Sequence, residues 1–329
     1  MKTINWGIIG AGNISSTFAT ALNGMEHTKL AAVASRNIGR AEQFAGKFQI
    51  DKAYGSYEEL VNDPEIDVIY IGTPHTEHKS NVELCIKNGK SVLCEKPFTI
   101  NAKETMYLID LAKEYKAFLM EAMWTKFLPA TKRVKEWIAE GRIGKIRYMH
   151  INFGFQAKFD ESNRLFNFAV GGGALLDAGV YPITYAIHVL GKLPKEVLST
   201  ANFGKSGVDE LNSMIFKYED EVIAIISSAI SVNIGQDAII IGDTGKIVVP
   251  SFLMADKAML YDINGKLVES FIEEWKINGY EYEANEVNQC IRDGKLESNI
   301  LPLIDTLDVI RVMDSIRAEW GLKYTQEID

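Results

Sequence analysis

The sequence predicts an α/β chain, with a doubly wound parallel sheet followed by an α+β domain built on a large, mostly antiparallel sheet. Three observations predict it. Short continuous apolar runs alternate with amphipathic stretches through the first third, the pattern of parallel strands covered on both faces. The first run leads directly into the glycine-rich turn Gly10-Ala11-Gly12. After about residue 122 the alternation gives way to successive strands joined by short polar turns, which indicates antiparallel pairing.

In order along the first part, strands are predicted at 4–9, 30–34, 68–71, 91–94 and 117–120, and helices at 14–22, 40–48, 57–62, 79–88 and 102–115. Asn101 reads as a helix N-cap and Gly89 as a helix stop. Beyond 122, a helix at 130–140 and a long strand at 146–155 come first. A helix at 174–190 follows, then strands at 197–203, 214–218, 222–230, 238–241, 246–249, 258–262 and 267–271. Helices at 280–293 and 303–320 close the chain. The expected domains are therefore 1–122 and 123–329.

Composition bounds the partners. With 329 residues there is length for two cores, and 47% hydrophobic with 24% charged residues is ordinary for a globular chain. The net charge of −9 argues against a nucleic-acid or anionic-membrane surface, because phosphate binding needs clustered Lys and Arg. Three cysteines with no CxxC pair suggest reduced usage, and the five scattered histidines show no metal-ligand spacing. No apolar run reaches the roughly 18 residues of a membrane span, and the first strand begins too early for a signal peptide. The expectation is a cytoplasmic protein with no metal.

The stretch Gly10-Ala11-Gly12-Asn13-Ile14-Ser15 follows a buried strand and opens a helix, the context a dinucleotide fingerprint requires. Gly10 permits the tight turn and Gly12 lets the backbone approach a pyrophosphate at the helix N-terminus, while Ser15 stands at the third glycine position. An NAD site places a carboxylate about 20 residues further on. Here Ser35-Arg36-Asn37 occupies that place with Arg40 close behind, and a guanidinium suits a 2′-phosphate. The expected cofactor is NADP rather than NAD. Two more motifs fall at the carboxyl ends of predicted strands: Thr73-Pro74-His75 with His78, and Glu95-Lys96-Pro97.

Taken together, the loop at 10–15, Thr73-Pro74 with His78, Glu95-Lys96-Pro97, Gly171-Gly172-Gly173 and Asp177-Ala178-Gly179 resemble the Gfo/Idh/MocA family of glucose–fructose oxidoreductases and inositol dehydrogenases. The resemblance spans nearly the whole chain. It implies a Rossmann domain followed by an α+β domain whose open sheet commonly makes oligomer contacts, hence a homodimer or higher homo-oligomer. It also implies that Lys96 lies beside the nicotinamide and the substrate hydroxyl, and that Asp177 positions the substrate. Tyr181 stands where many members carry His, and Thr184 where many carry a second Asp. That tyrosine, the stretch 121–130 and Gly173-Ala174-Leu175-Leu176-Asp177 resemble the branch containing dimeric dihydrodiol dehydrogenases and NADP-dependent xylose dehydrogenases.

The expected reaction transfers a hydride between NADP(H) and a secondary alcohol or carbonyl of a sugar, polyol or dihydrodiol-like molecule. Asp177 and Tyr181 are four apart and share one face of the predicted helix. Tyr181 is the candidate acid/base, with Lys96 favouring its phenolate; the alternative makes Lys96 the proton carrier. Trp124 and Phe153 are candidate substrate contacts, with Phe127 and Phe155 nearby in sequence; core packing is the competing reading for each. Two other functions fit the same frame: a non-catalytic NADP-binding sensor or co-regulator, and an NAD-dependent inositol or polyol dehydrogenase.

Overall fold

The structure is a computed structural model and describes residues 1–327. By its internal contacts the chain divides into two units, one formed by Met1–Trp124 with Lys276–Ile310, the other by Thr125–Trp275 with the chain from Arg311.

In the first unit, strands β1 (Ile4–Ile9), β2 (Thr28–Ala34), β3 (Lys52–Tyr54), β4 (Val68–Ile71), β5 (Ser91–Glu95) and β6 (Leu119–Ala122) form a six-stranded sheet in the order β3-β2-β1-β4-β5-β6. All neighbouring pairs are parallel, so this is the doubly wound order whose ligand crevice lies at the strands' carboxyl ends. Helices α1 (Asn13–Asn23), α2 (Ile38–Phe48), α3 (Tyr57–Val61), α4 (His78–Lys87) and α5 (Ala102–Tyr115) connect them. The central strands are buried along their lengths because both faces are covered. Asn101 caps α5 by accepting the Glu104 amide at 3.0 Å, and Asn37 caps α2 by accepting that of Arg40 at 3.1 Å. The three-residue edge strand β3 escaped sequence prediction because it has no apolar run. Polar contacts tie it down instead: Lys52 to Asp63 at 2.9 Å and Glu65 at 2.6 Å, and Tyr54 to Asp63 at 2.9 Å.

The second unit opens with α6 (Pro129–Ala139) and β7 (Ile146–Gln156). A π-helical turn at Leu175–Gly179 then runs into α7 (Val180–Leu190). Strands β8 (Glu196–Phe203), β9 (Asp209–Lys217), β10 (Ile223–Ala229), β11 (Ser231–Gly235), β12 (Ala238–Gly242), β13 (Gly245–Val249), β14 (Lys257–Asp262) and β15 (Leu267–Ile272) join β7 in a nine-stranded sheet. Its order is β15-β14-β13-β12-β7-β10-β9-β8, with β11 paired to β7. Every pairing is antiparallel except β10 with β7. One row across the sheet (Phe216, Ala224, Met149, Ile240 and Ile247) is buried; the row on the opposite face (Leu198, Ile215, Ile225, Ile239 and Val248) is exposed or half-buried.

Three sequence expectations need correction. The predicted strand 214–218 begins five residues earlier, at Asp209, because the polar residues that hid it turn inward: Asp209 and Asn212 are both buried. The predicted helix 174–190 is not uniform. The Val180 amide reaches back to the Leu175 carbonyl, and Pro182, with no N–H to give Ala178, prevents an ordinary helical bond one turn later. The stretch Phe168–Leu190 is also long and apolar enough to pass for a membrane span, but 89% of its most apolar window is buried inside the protein, as in a core helix.

The domain boundaries differ as well. Residues 276–310, assigned by sequence to the second domain, return to the first unit through α8 (Glu281–Arg292) and the part of α9 (Leu303–Trp320) up to Ile310. The Trp6 indole donates to Asn288 Oδ1 at 2.9 Å, and Asn288 donates in turn to Thr28 Oγ1 at 2.9 Å. Leu303 and Leu307 join the apolar core around β4 and β5. Helical periodicity identified these segments, but no local signal says which sheet they cover.

Candidate active site

In the first unit, the candidate residues lie at the carboxyl edge of the parallel sheet, beginning with the turn into α1. Gly10 has a φ of +97°, and a Cβ there would stand 2.9 Å from the Gly72 carbonyl oxygen, so the turn admits only glycine. Gly12 caps α1 in an extended conformation with no side-chain hydrogen bond, and a Cβ built on it meets nothing within 4 Å. Nothing in the packing requires glycine at 12; the open space lies over the uncapped first amides of α1, where a phosphate fits. Asn13 is exposed and Ile14 half-buried in the same first turn. Ser15 is fully buried, its Oγ has no hydrogen-bond partner, and a Cβ on Gly72 would lie 2.4 Å from it. The larger residue at the third glycine position is thus accommodated by a glycine on the neighbouring strand end.

At the end of β2, Ser35 is buried, whereas Arg36 and Arg40 are exposed. Arg40 sits in the first turn of α2, where the helix dipole disfavours a cation and no acidic residue offsets it. That placement is explained by an anionic ligand better than by helix stability. A cleft of about 580 Å³ lies beside Arg36 and is lined also by Tyr57, Glu58, Glu77, Ser80 and Asn81. Burial raises the Tyr57 phenol, and the Arg36 guanidinium partly offsets this through its charge and then a hydrogen bond. Asn81 donates to Thr73 Oγ1 at 3.0 Å, which joins the β4 loop to the same cleft.

The β4 and β5 loops are fastened to each other. His78 is fully buried, with one ring nitrogen 3.0 Å from the Thr73 carbonyl oxygen and the other 3.0 Å from that of Pro97. Burial holds its pKa below the ordinary histidine value, with Lys96 acting in the same direction and the backbone carbonyls against it. A neutral imidazole donates to one of these two carbonyl oxygens, and the buried ring braces the Thr73 and Pro97 backbones. His75 is buried beside it, the ring centroids 5.8 Å apart, and Pro74 is exposed.

Lys96 emerges half-buried at the end of β5. Behind it, Glu95 accepts the Tyr70 hydroxyl at 2.6 Å and the Lys96 amide at 3.2 Å, and Tyr70 stacks on Phe18 at 4.0 Å. Glu95 is therefore a support for the Lys96 backbone. Deeper still, Glu283 on α8 is fully buried with neither carboxyl oxygen hydrogen-bonded. Burial, then the charges of Glu95 and Glu121, push it well above the usual carboxylate range. Trp124 lies nearly wholly buried, one face stacked on Tyr280 at 4.4 Å and 8°. That arrangement is core packing, and it argues against the predicted sugar platform.

In the second unit, the candidate residues lie on the π-turn and α7. Asp177 and Tyr181 are both buried. The Arg164 guanidinium, reaching in from an exposed loop, pairs closely with the Asp177 carboxylate. Phe153 on β7 stands edge-on to the Tyr181 ring at 5.7 Å, with Phe155 5.8 Å away, so an aromatic wall supports the phenol. Arg164, Tyr57 and Glu283 were not found from sequence, since each sits in a segment with no motif spacing. Asp177 offered an indirect clue to Arg164: a carboxylate in so apolar a helix requires a partner. Thr184, at the family's second Asp position, is buried with an unpartnered hydroxyl. Among the described residues no cluster of metal-ligating side chains occurs.

Comparison with known proteins shows the family. The signature of the oxidoreductase family with NAD-binding Rossmann fold matches residues 4–123, and that of the GFO/IDH/MocA C-terminal domain matches 131–248. The chain belongs to the Gfo/Idh/MocA family. Trans-1,2-dihydrobenzene-1,2-diol dehydrogenase of Xenopus tropicalis is 36% identical over 330 residues, covering 97% of this chain and 98% of its own. Among solved Gfo/Idh/MocA-like folds, a 3-ketoreductase from Actinomadura kijaniata in complex with NADP and TDP-benzene has a TM-score of 0.88 at 24% identity, covering 96% of this chain and 98% of that one. A levoglucosan dehydrogenase in complex with NADH and levoglucosan has a TM-score of 0.87 at 19% identity, with 97% of each chain covered.

The packing at the third glycine position makes a direct prediction. Gly72→Ala should lower stability by about 1–3 kcal/mol through overpacking against Ser15, and Ser15→Gly in the same chain should recover most of that loss. Urea unfolding of the two variants checks it; equal stability of Gly72→Ala and the parent would contradict the close contact.

Proposed function

We propose that this oxidoreductase transfers a hydride between NADP(H) and a secondary alcohol or carbonyl of a small sugar, polyol or dihydrodiol-like substrate. The observation that carries the reading is the set of reactive groups: Lys96, half-buried after β5, and the buried Asp177 and Tyr181 on the π-turn and α7. A scaffold that only stored a nucleotide would have no use for an Asp and a Tyr at those positions. The dihydrodiol dehydrogenase relative supports the substrate class. Folds alike in shape bind NADP in one case and NADH in another, so the choice of cofactor rests on this chain's own residues. Arg36 and Arg40, with no carboxylate at 35–37, favour a 2′-phosphate.

Gly10, Gly12, Asn13 and Ile14 would hold the pyrophosphate at the start of α1, and Ser35, Arg36 and Arg40 the 2′-phosphoribose. Thr73, Pro74, His75, Glu95 and Lys96 would border the nicotinamide end. Bound there, the nicotinamide supplies the two-electron hydride acceptor or donor. In the oxidative direction the substrate carbon gives up hydride while its hydroxyl gives up a proton, leaving a carbonyl. Tyr181 takes that proton; Lys96 holds the substrate oxygen and favours the phenolate. Asp177, its charge balanced by Arg164, orients the substrate. Phe153 lies against the Tyr181 ring and offers the substrate an apolar side.

The exposed row Leu198, Ile215, Ile225, Ile239 and Val248 supports a homodimer or larger homo-oligomer, in which a second copy covers this apolar face. Ile239→Glu should then lower the mass seen by sedimentation, and an unchanged mass in a multimeric parent would count against this face. Cytoplasmic residence is proposed from the cysteine usage alone.

Reduced-nicotinamide absorbance, followed with NADP and with NAD across aldoses, polyols, dihydrodiols and dicarbonyls, tests the function. Turnover with NADP is expected to exceed that with NAD, and Arg36→Asp should narrow or reverse the ratio. Tyr181→Phe and Lys96→Met should each lower turnover by about 10²–10⁴-fold with NADP still bound. Tight NADP binding without turnover on any substrate would favour the sensor instead, and near-parental turnover in either variant would remove that residue from the chemistry.

A further inference from the structure

The turn that carries Asp177 and Tyr181 rests on a buried polar seam that the reaction itself does not require. Asp209, the first residue of β9, is fully buried. Its Oδ2 accepts the Leu175 amide at 2.7 Å and the Asn212 side-chain amide at 2.8 Å. Asn212 Oδ1 accepts the Ser228 hydroxyl from β10 at 2.7 Å, and Ser228 Oγ lies 3.4 Å from the Ala174 carbonyl oxygen. Leu175 is the first residue of the π-turn, so Asp209 fills the role an N-cap side chain would have filled.

The glycine run is shaped around this carboxylate. Gly173 has a φ of +126°, and a Cβ there would lie 2.3 Å from Asp209 Oδ1. Tyr324 donates to the Gly172 carbonyl oxygen at 2.6 Å and closes the seam from the other side. A Cβ on Gly179, at the end of the turn, would stand 2.8 Å from Ser228 Oγ. The turn is therefore held at both ends by the strands beneath it.

We infer that Asp209 is a positioning residue for the reaction, its ionised carboxylate anchoring the Leu175 amide and thereby setting the placement of the Asp177 and Tyr181 side chains. The inference rests on the catalytic reading of that pair. A hydrogen bond to a carboxylate is roughly twice as strong as one to a neutral acid, so the anchor weakens when Asp209 takes up a proton. Burial pushes its pKa up to about 7, against the Asn212 and Leu175 hydrogen bonds and the Arg317 charge, which hold it down. The groups facing it are Asn212 and Ser228 on the strands, and Tyr324 and Arg317 from the C-terminal segment. Arg317 is itself paired with Glu327 at 2.5 Å and Asp314 at 2.7 Å. The hydrogen bond to the Leu175 amide thus couples the charge of Asp209 to the turn above it.

The test follows the Tyr181 phenol by carbon-13 NMR in tyrosine-labelled full-length protein, with its resonance assigned by Tyr181→Phe. The parent should show an inflection near pH 7 that Asp209→Asn abolishes. Asn212→Ala removes one hydrogen bond to the carboxylate and should move the inflection to higher pH, a shift that decides the matter even if Asp209→Asn fails to fold. An unchanged inflection in Asp209→Asn, or in Asn212→Ala, overturns the inference. Full turnover in Tyr181→Phe would instead overturn the catalytic reading on which it rests, whatever the resonance does.

Discussion

A parallel sheet buried on both faces leaves one place where its backbone can meet a ligand, the carboxyl ends of its strands. Everything in the first unit follows from that constraint. Gly10, Arg36, Thr73 and Lys96 come from four separate strand ends, and the order β3-β2-β1-β4-β5-β6 sets them along one edge. Their support is internal to the sheet: Gly72 gives way to Ser15, His78 ties the β4 loop to the β5 loop, and Glu95 holds the Lys96 amide. Lys96 is thereby attached to the glycine turn through short contacts within the sheet's carboxyl edge.

The second unit solves a different problem. A helix rich in Leu, Val and Ile has to present a carboxylate and a phenol, and burial of either without a partner is costly. Arg164 compensates the charge of Asp177 and an aromatic wall borders Tyr181. Below them the polar residues Asp209, Asn212 and Ser228 replace apolar packing with directional bonds. Such bonds fix a turn more narrowly than apolar contact does, at the expense of a buried charge. The π-turn is the backbone's share of the same arrangement, an extra residue just where Asp177 projects.

Much of this was legible in the sequence because the signals were local. Continuous apolar runs identified the central strands, and Gly10 and Gly12 the tight turn into α1. What escaped depended on distant partners. Asp209 and Asn212 read as a polar loop because nothing nearby reveals that they turn inward. Glu283 looked like any helix-surface carboxylate, and 276–310 carried no mark of the unit it covers. His78 was found but assigned to the cofactor, since sequence gives a histidine's place and not what its two nitrogens touch. Trp124 was found for its chemistry, whereas its stacking on Tyr280 is a matter of packing.

The central claim is that one small molecule is served by an ammonium, a phenol and a carboxylate drawn from two parts of the chain. A crystal structure of the complex with NADP and a bound alcohol or carbonyl substrate analogue tests it most directly. The account predicts the analogue's oxygen within hydrogen-bonding distance of both Lys96 Nζ and Tyr181 Oη, with Asp177 contacting a neighbouring hydroxyl. An analogue bound with either Lys96 or Tyr181 turned away from its reacting carbon would contradict it.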